Sequence, residues 1–238
     1  VQGEVEGVSV GQTDTLFVSL AEQLHHSFMQ IARLSEKSVH HASPADWRVI
    51  GDISHAAMQL TESYTLSVRL QNRQLEAQLE PVVVSAVLHE AVRELMPLAS
   101  LLGVQLSVVE PARGSLALAD PMILKAALTS LGQVFILSQS QQDEAKPVKF
   151  GVHRSRYGVV AGMYGSMGQL STQAFKRAQQ LHQRTTEPFQ ALVSGPATGV
   201  FVAENLLMGM STKLHISRFQ AMNGLAVTLP NCRQLLLV

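Results

Sequence analysis

The sequence predicts an α+β chain: a helical hairpin that forms a dimeric four-helix bundle, followed by an α/β sandwich. Three observations carry this. Two successive stretches place apolar residues at intervals of three or four, the spacing of a helix with one apolar face. After Asn72 the period changes to strict alternation. From there the order of patterns is βαβ, α, ββ, α, α, ββ, which builds a mixed sheet with helices on one face.

Residues 1–14 are rich in Gly and Val without a sustained period, and are expected to be a linker or frayed leader. In the first helix Leu16, Leu20, Leu24, Phe28, Ile31 and Leu34 form one stripe. Ser43-Pro44-Ala45-Asp46 marks the next start, with Ser43 as N-cap, Pro44 at the first helical position and Asp46 in the first turn. The second helix carries Trp47, Ile50, Ile53, Ala57, Leu60 and Tyr64 and ends near Asn72. A stripe this apolar exceeds what one hairpin buries, so residues 15–73 are expected to pair with a second copy. The alternative is that the hairpin packs on its own C-terminal domain, residues 74–238.

Leu75, Ala77 and Leu79 alternate with Glu76, Gln78 and Glu80 and read as a strand, closed by Pro81. A helix from Val84 to Leu98 follows, stopped by Gly103, and then a strand over Val104, Leu106 and Val108. Pro111 to Gly114 make a turn, and Asp120-Pro121 opens a helix through Phe135. Val148 to His153 and Val159 to Tyr164 form a hairpin turned at Arg154 to Gly158. A polar helix is expected around Thr172 to Leu181, and Gly195 to Gly199 introduces another that reaches Gly209. Lys213 to Arg218 and Leu225 to Leu229 close the chain as strands.

Composition excludes several function classes. Lys plus Arg and Asp plus Glu are both 18, so no basic footprint exists to gather nucleic acid. The single Cys232 forms neither an internal disulfide nor a thiolate cluster, which suits a reducing, cytoplasmic setting. With 46% hydrophobic residues the chain fills a core, but no run is read as a membrane span. It begins at Val1 rather than Met, so a membrane or sensing segment is expected only in a preceding N-terminal region.

The element order, the stretch Leu75 to Pro81, Val104 to Val109 followed by Ala119-Asp120-Pro121, Gly195-Pro196-Ala197-Thr198-Gly199 and the closing Gly224 to Pro230 resemble the catalytic core of sensor histidine kinases. The likeness covers about Leu16 to Pro230. It implies a dimerising hairpin that bears a phosphoacceptor histidine, an ATPase-type domain that binds ATP and Mg²⁺, and receiver domains of response regulators as partners.

The residues at the implied sites depart from that pattern. Matched through Leu24, Phe28 and Ile31, the acceptor position is Glu22, the acidic helper is Gln23, and the helix-kinking Pro is Ser27, so a straighter helix is expected. The metal-binding Asn places are Ser130 and Val134, and valine has no oxygen for a cation. The adenine-binding Asp is Gly165, with Gly168 one residue off the expected glycine. Of the three phosphate-loop glycines Gly195 and Gly199 survive, while Pro196 removes an N–H donor. These two are expected to make a tight turn at a helix start. No cofactor is expected in a pocket so furnished.

His25 and His26 stand near the acceptor position, and an exposed imidazole can carry a phosphoryl group. They keep open a histidine phosphotransferase that relays to or from receiver domains. His40, His41 and His55 lack a tight i, i+4 pair on one face, and no metal site is expected. The leading expectation is a noncatalytic signalling or scaffold homodimer of two-component type.

Overall fold

The structure is a computed structural model that describes residues 20–21, 24–36, 43–110, 115–140, 147–165 and 197–232. Helix α1 runs through residues 24–36 without interruption, past Ser27. Helix α2, Pro44–Gln71, begins as its sequence dictates. The Ser43 Oγ accepts from Asp46 N at 3.2 Å, and Asp46 Oδ2 accepts in return from Ser43 N at 3.3 Å. This reciprocal capping box satisfies two helix-start donors that would otherwise be orphaned.

The strand expected over Leu75 to Leu79 lies five residues further on. Residues 75–79 have no regular structure, and strand β1 is Glu80–Val83, running directly into helix α3, Val84–Leu101. Pro81 therefore stands inside the strand rather than closing it. It is tolerated because β1 has one partner in its sheet and proline needs no second ladder bond there. That partner is β3, Leu116–Ala119, a strand the sequence reading did not assign, paired antiparallel with Pro81 opposite Leu118. Gly103, with φ of 67°, ends the turn after α3 in the left-handed region that glycine enters without strain.

The main sheet holds β2 (Leu106–Val109), β4 (Val148–Ser155), β5 (Gly158–Tyr164), β6 (Leu214–Phe219) and β7 (Met222–Leu229). Their order is β2-β4-β5-β7-β6, parallel between β2 and β4 and antiparallel elsewhere. One face, with Phe150, Val152, Ala161, Met163, Leu225 and Val227, meets the core under α3, helix α4 (Pro121–Ser140) and helix α5 (Ala197–Gly209). By length and apolar composition α4 is able to cross a membrane. Most of it is buried among its neighbours, and that burial accounts for its composition. The expected polar helix around Thr172 to Leu181 lies outside the described residues.

The two halves share one core. Leu60 and Tyr64 of α2 belong to the same buried cluster as α3, α4, α5 and the sheet. The C-terminal half of the hairpin's second helix thus packs on its own α/β domain. Leu20 and, on α1, Leu24 join that core, but the opposite end of the hairpin is more open: Phe28 is 60% and Trp47 57% exposed, and Ile31, Leu34 and Ile50 are half-buried.

Candidate functional site

Of the residues implied by the kinase resemblance, Ser130, Val134 and Gly199 meet where α4 packs on α5. Asp120 caps α4, its Oδ1 accepting from the backbone N–H of Met122 at 3.0 Å and of Ile123 at 3.1 Å. Its Oδ2 accepts from Gln78 N at 3.0 Å, which ties the connector after the hairpin to the start of α4. Lys125 donates to Glu94 Oε1 at 2.8 Å and fixes α4 against α3. Two turns on, α4 presents Ser130 and Val134, which are 1% and 2% exposed.

Gly199 of α5 seals that face. A Cβ built on Gly199 falls 2.5 Å from Val134 Cγ2 and 2.7 Å from the Ser130 carbonyl oxygen, closer than real side chains come. The α5 backbone therefore rests directly on α4. Gly199 lies within the helix, three residues from its start, rather than in the turn before it, and its φ is not in the left-handed region. The expected role of a tight turn is corrected: this glycine permits close helix approach.

Gly165 closes the other side. It follows β5, is buried, and donates its N–H to the Asn223 carbonyl at 3.1 Å. The side chains of Phe135 and Gln139 of α4 stand at ordinary contact distance from where its Cβ would be. The positions that the resemblance assigns to the Mg²⁺ ligands and the adenine-binding Asp carry no carboxylate or amide side chain; Ser130 and Val134 lie against Gly199, and Gly165 lies beside Phe135 and Gln139. Gly168, Gly195 and Glu22 lie outside the described residues. His25 and His26 are both exposed on α1, with the His26 Nε2 3.0 Å from Gln30 Nε2. Among the described residues no group of three His, Cys, Asp or Glu side chains gathers to hold a metal.

A second polar set, unforeseen in the sequence, lies where α2 crosses α4. Gln133 donates from Nε2 to Gln59 Oε1 at 3.3 Å. Ser63 and Ser67 are buried on α2, and the Ser67 Oγ has no hydrogen-bond partner among the described residues. The available signal was a glutamine in an otherwise apolar stretch of α4, and it shows its meaning only once α2 is placed across it.

The fold and this helix contact define the class: the chain has a histidine-kinase-like fold. It aligns with the histidine kinase AdeS of Acinetobacter baumannii over 87% of this chain and 96% of that one, at 10% identity and a TM-score of 0.54. It also aligns with full-length ShkA, solved in complex with AMPPNP, over 90% of this chain and 46% of that one, at 17% identity and a TM-score of 0.56. At these identities the likeness is one of fold. No family model and no curated protein matches the sequence.

Proposed function

We propose that this chain is a noncatalytic signalling or scaffold protein of two-component type that lacks autokinase activity. The supporting observation is the close contact of Gly199 with buried Ser130 and Val134, the positions that the resemblance matches to the phosphate loop and the metal ligands. Opening it requires separating two core helices. An opened cleft would still offer the triphosphate no metal-binding carboxylate or amide from Ser130, Val134 or Gly165. The exposed Phe28 and Trp47, with the half-buried stripe between them, support a homodimer closed as a four-helix bundle over residues 15–73. Receiver domains of response regulators are the expected partners of the hairpin surface near His25 and His26. Replacement of the aligned acceptor by Glu22 supports loss of self-phosphorylation.

A second reading, histidine phosphotransfer without ATP hydrolysis, is favoured by the exposure of His25 and His26. One experiment separates the two. The purified chain is mixed with phosphorylated receiver domains, alongside His25→Ala and His26→Ala variants. The scaffold reading predicts no acid-labile label on any of them. Label on the parent chain that one variant loses establishes the phosphotransferase instead.

A further inference from the structure

We propose that the tip of the β6–β7 hairpin is a pH-sensitive latch, held on the sheet's outer face under neutral His153 and released when His153 takes up a proton. The outer face is the side of the sheet away from the helices. Pairing registers place Gly151 and His153 of β4, Val160 and Tyr164 of β5, Gly224 and Ala226 of β7, and His215 and Ser217 of β6 on it. Phe219, at the end of β6, reaches across this face to β4. A Cβ built on Gly151 falls 3.1 Å from the Phe219 ring, so a glycine there leaves the room the ring needs. The ring stacks on His153 at 5.2 Å and 10°, and meets Tyr164 at 5.1 Å.

The tip is strained and needs these anchors. Its turn residues Gln220 and Ala221 have φ of 46° and 63°, a shape that hairpins normally give to Asn and Gly. Lys149 Nζ donates to Gln220 Oε1 at 3.2 Å, and the Gly165 N–H donates to Asn223. The remaining hold is the apolar stack, which favours an uncharged imidazole. The His153 Nδ1 is buried and has no hydrogen-bond partner among the described residues.

No carboxylate on the strands of this face compensates protonation. From Ala145 to Thr186 and from Asn205 to Val238 the sequence has no Asp or Glu, so none of β4, β5, β6 or β7 carries a carboxylate. Among the described residues, the titratable and charged groups of these strands are His215, Tyr164 and Lys149 on the same face as His153, Arg154 and Arg218 at positions that alternate to the other face, and Arg156 and Tyr157 in the β4–β5 turn. β7 contributes none. Burial lowers the His153 pKa from its ordinary value and the His215 charge lowers it further, while burial raises that of the Tyr164 hydroxyl, which donates to Ser217 Oγ at 3.5 Å. A base with a lowered pKa binds fewer protons in the closed state than in the open one. The latch is therefore tightest above the ordinary histidine range and weakens as pH falls through that range, levelling off below the lowered value. Release uncovers Tyr164, Val160 and Ala226, a small apolar face otherwise covered by Phe219 and Met222.

Amide hydrogen exchange on the full chain at pH 7.5 and 5.5, corrected for intrinsic rates, tests this. Protection at residues 219–224 should fall about two- to tenfold at the lower pH relative to the β4–β5 ladder. His153→Phe keeps a stacking ring without a titrating nitrogen and should make tip protection independent of pH; His153→Gln serves if the larger ring disturbs folding. An unchanged pH dependence in either variant overturns the latch. So does parallel loss of protection at the tip and in the β4–β5 ladder, which reports global opening.

Discussion

Substituting Gly199 with alanine probes the closed cleft with a single methyl group. The added carbon lands 2.5 Å from Val134 Cγ2 and 2.7 Å from the Ser130 carbonyl. Val134 can change rotamer, but the carbonyl belongs to the α4 backbone and moves only if the helix moves. Overpacking of this kind costs about 1–3 kcal/mol. Alanine recovers up to about 1 kcal/mol of helix propensity, less in a first turn. The balance is a loss of about 1–2 kcal/mol, which for a chain of this size lowers Tm by about 2–8 °C in a circular dichroism melt. Adding Val134→Ala removes the Cγ2 collision and leaves the carbonyl. The double-mutant cycle should then show a favourable coupling of about 0.5–1 kcal/mol. If Gly199→Ala is neutral or stabilising, α5 does not rest on α4 and the cleft is open.

Further expectations follow from neighbouring features. Leu60→Ala should cost about 2–5 kcal/mol in urea unfolding, because Leu60 belongs to the domain core; a loss under 1 kcal/mol (about the size of a surface change) would detach α2 from the domain. Ser67→Ala should stabilise by about 1 kcal/mol by removing a buried hydroxyl with no partner, and a destabilisation would mean that hydroxyl is satisfied in solution. Millimolar Mg-ATP should leave Tm unchanged, whereas a ligand at a hundred times its Kd adds about 2.7 kcal/mol and a shift of several degrees. Acidification from pH 7.5 to 5.5 should destabilise the parent chain more than His153→Phe, since the unfolded state binds the proton more tightly than the lowered folded group does.

The parts of this molecule that were legible in its sequence are those fixed by local chemistry. Ser43, Pro44 and Asp46 specify the α2 start through a capping box that closes within four residues. The β4–β5 hairpin is announced by alternation and by Gly158 after its two-residue turn. Alternation misled at Leu75 to Leu79, where Leu75 and Leu79 are largely exposed. The strand is set instead by its partner: Val84 N donates to the Ser115 carbonyl and Gln78 N to Asp120, contacts made across more than thirty residues. The close approach of Gly199 to Ser130 and Val134 was not legible, because a glycine before an apolar helix looks the same whether it serves a turn or a close approach. The Gln59–Gln133 and His153–Phe219 contacts were hidden for the same reason, since each joins elements far apart in the chain.

The most direct test of the central claim is incubation of the chain with Mg²⁺ and γ-labelled ATP, followed by detection of acid-labile phosphohistidine. The proposed absence of autokinase activity predicts no incorporated label, with or without a receiver domain. Label that accumulates on the chain and disappears on substituting His25 or His26 would contradict the account.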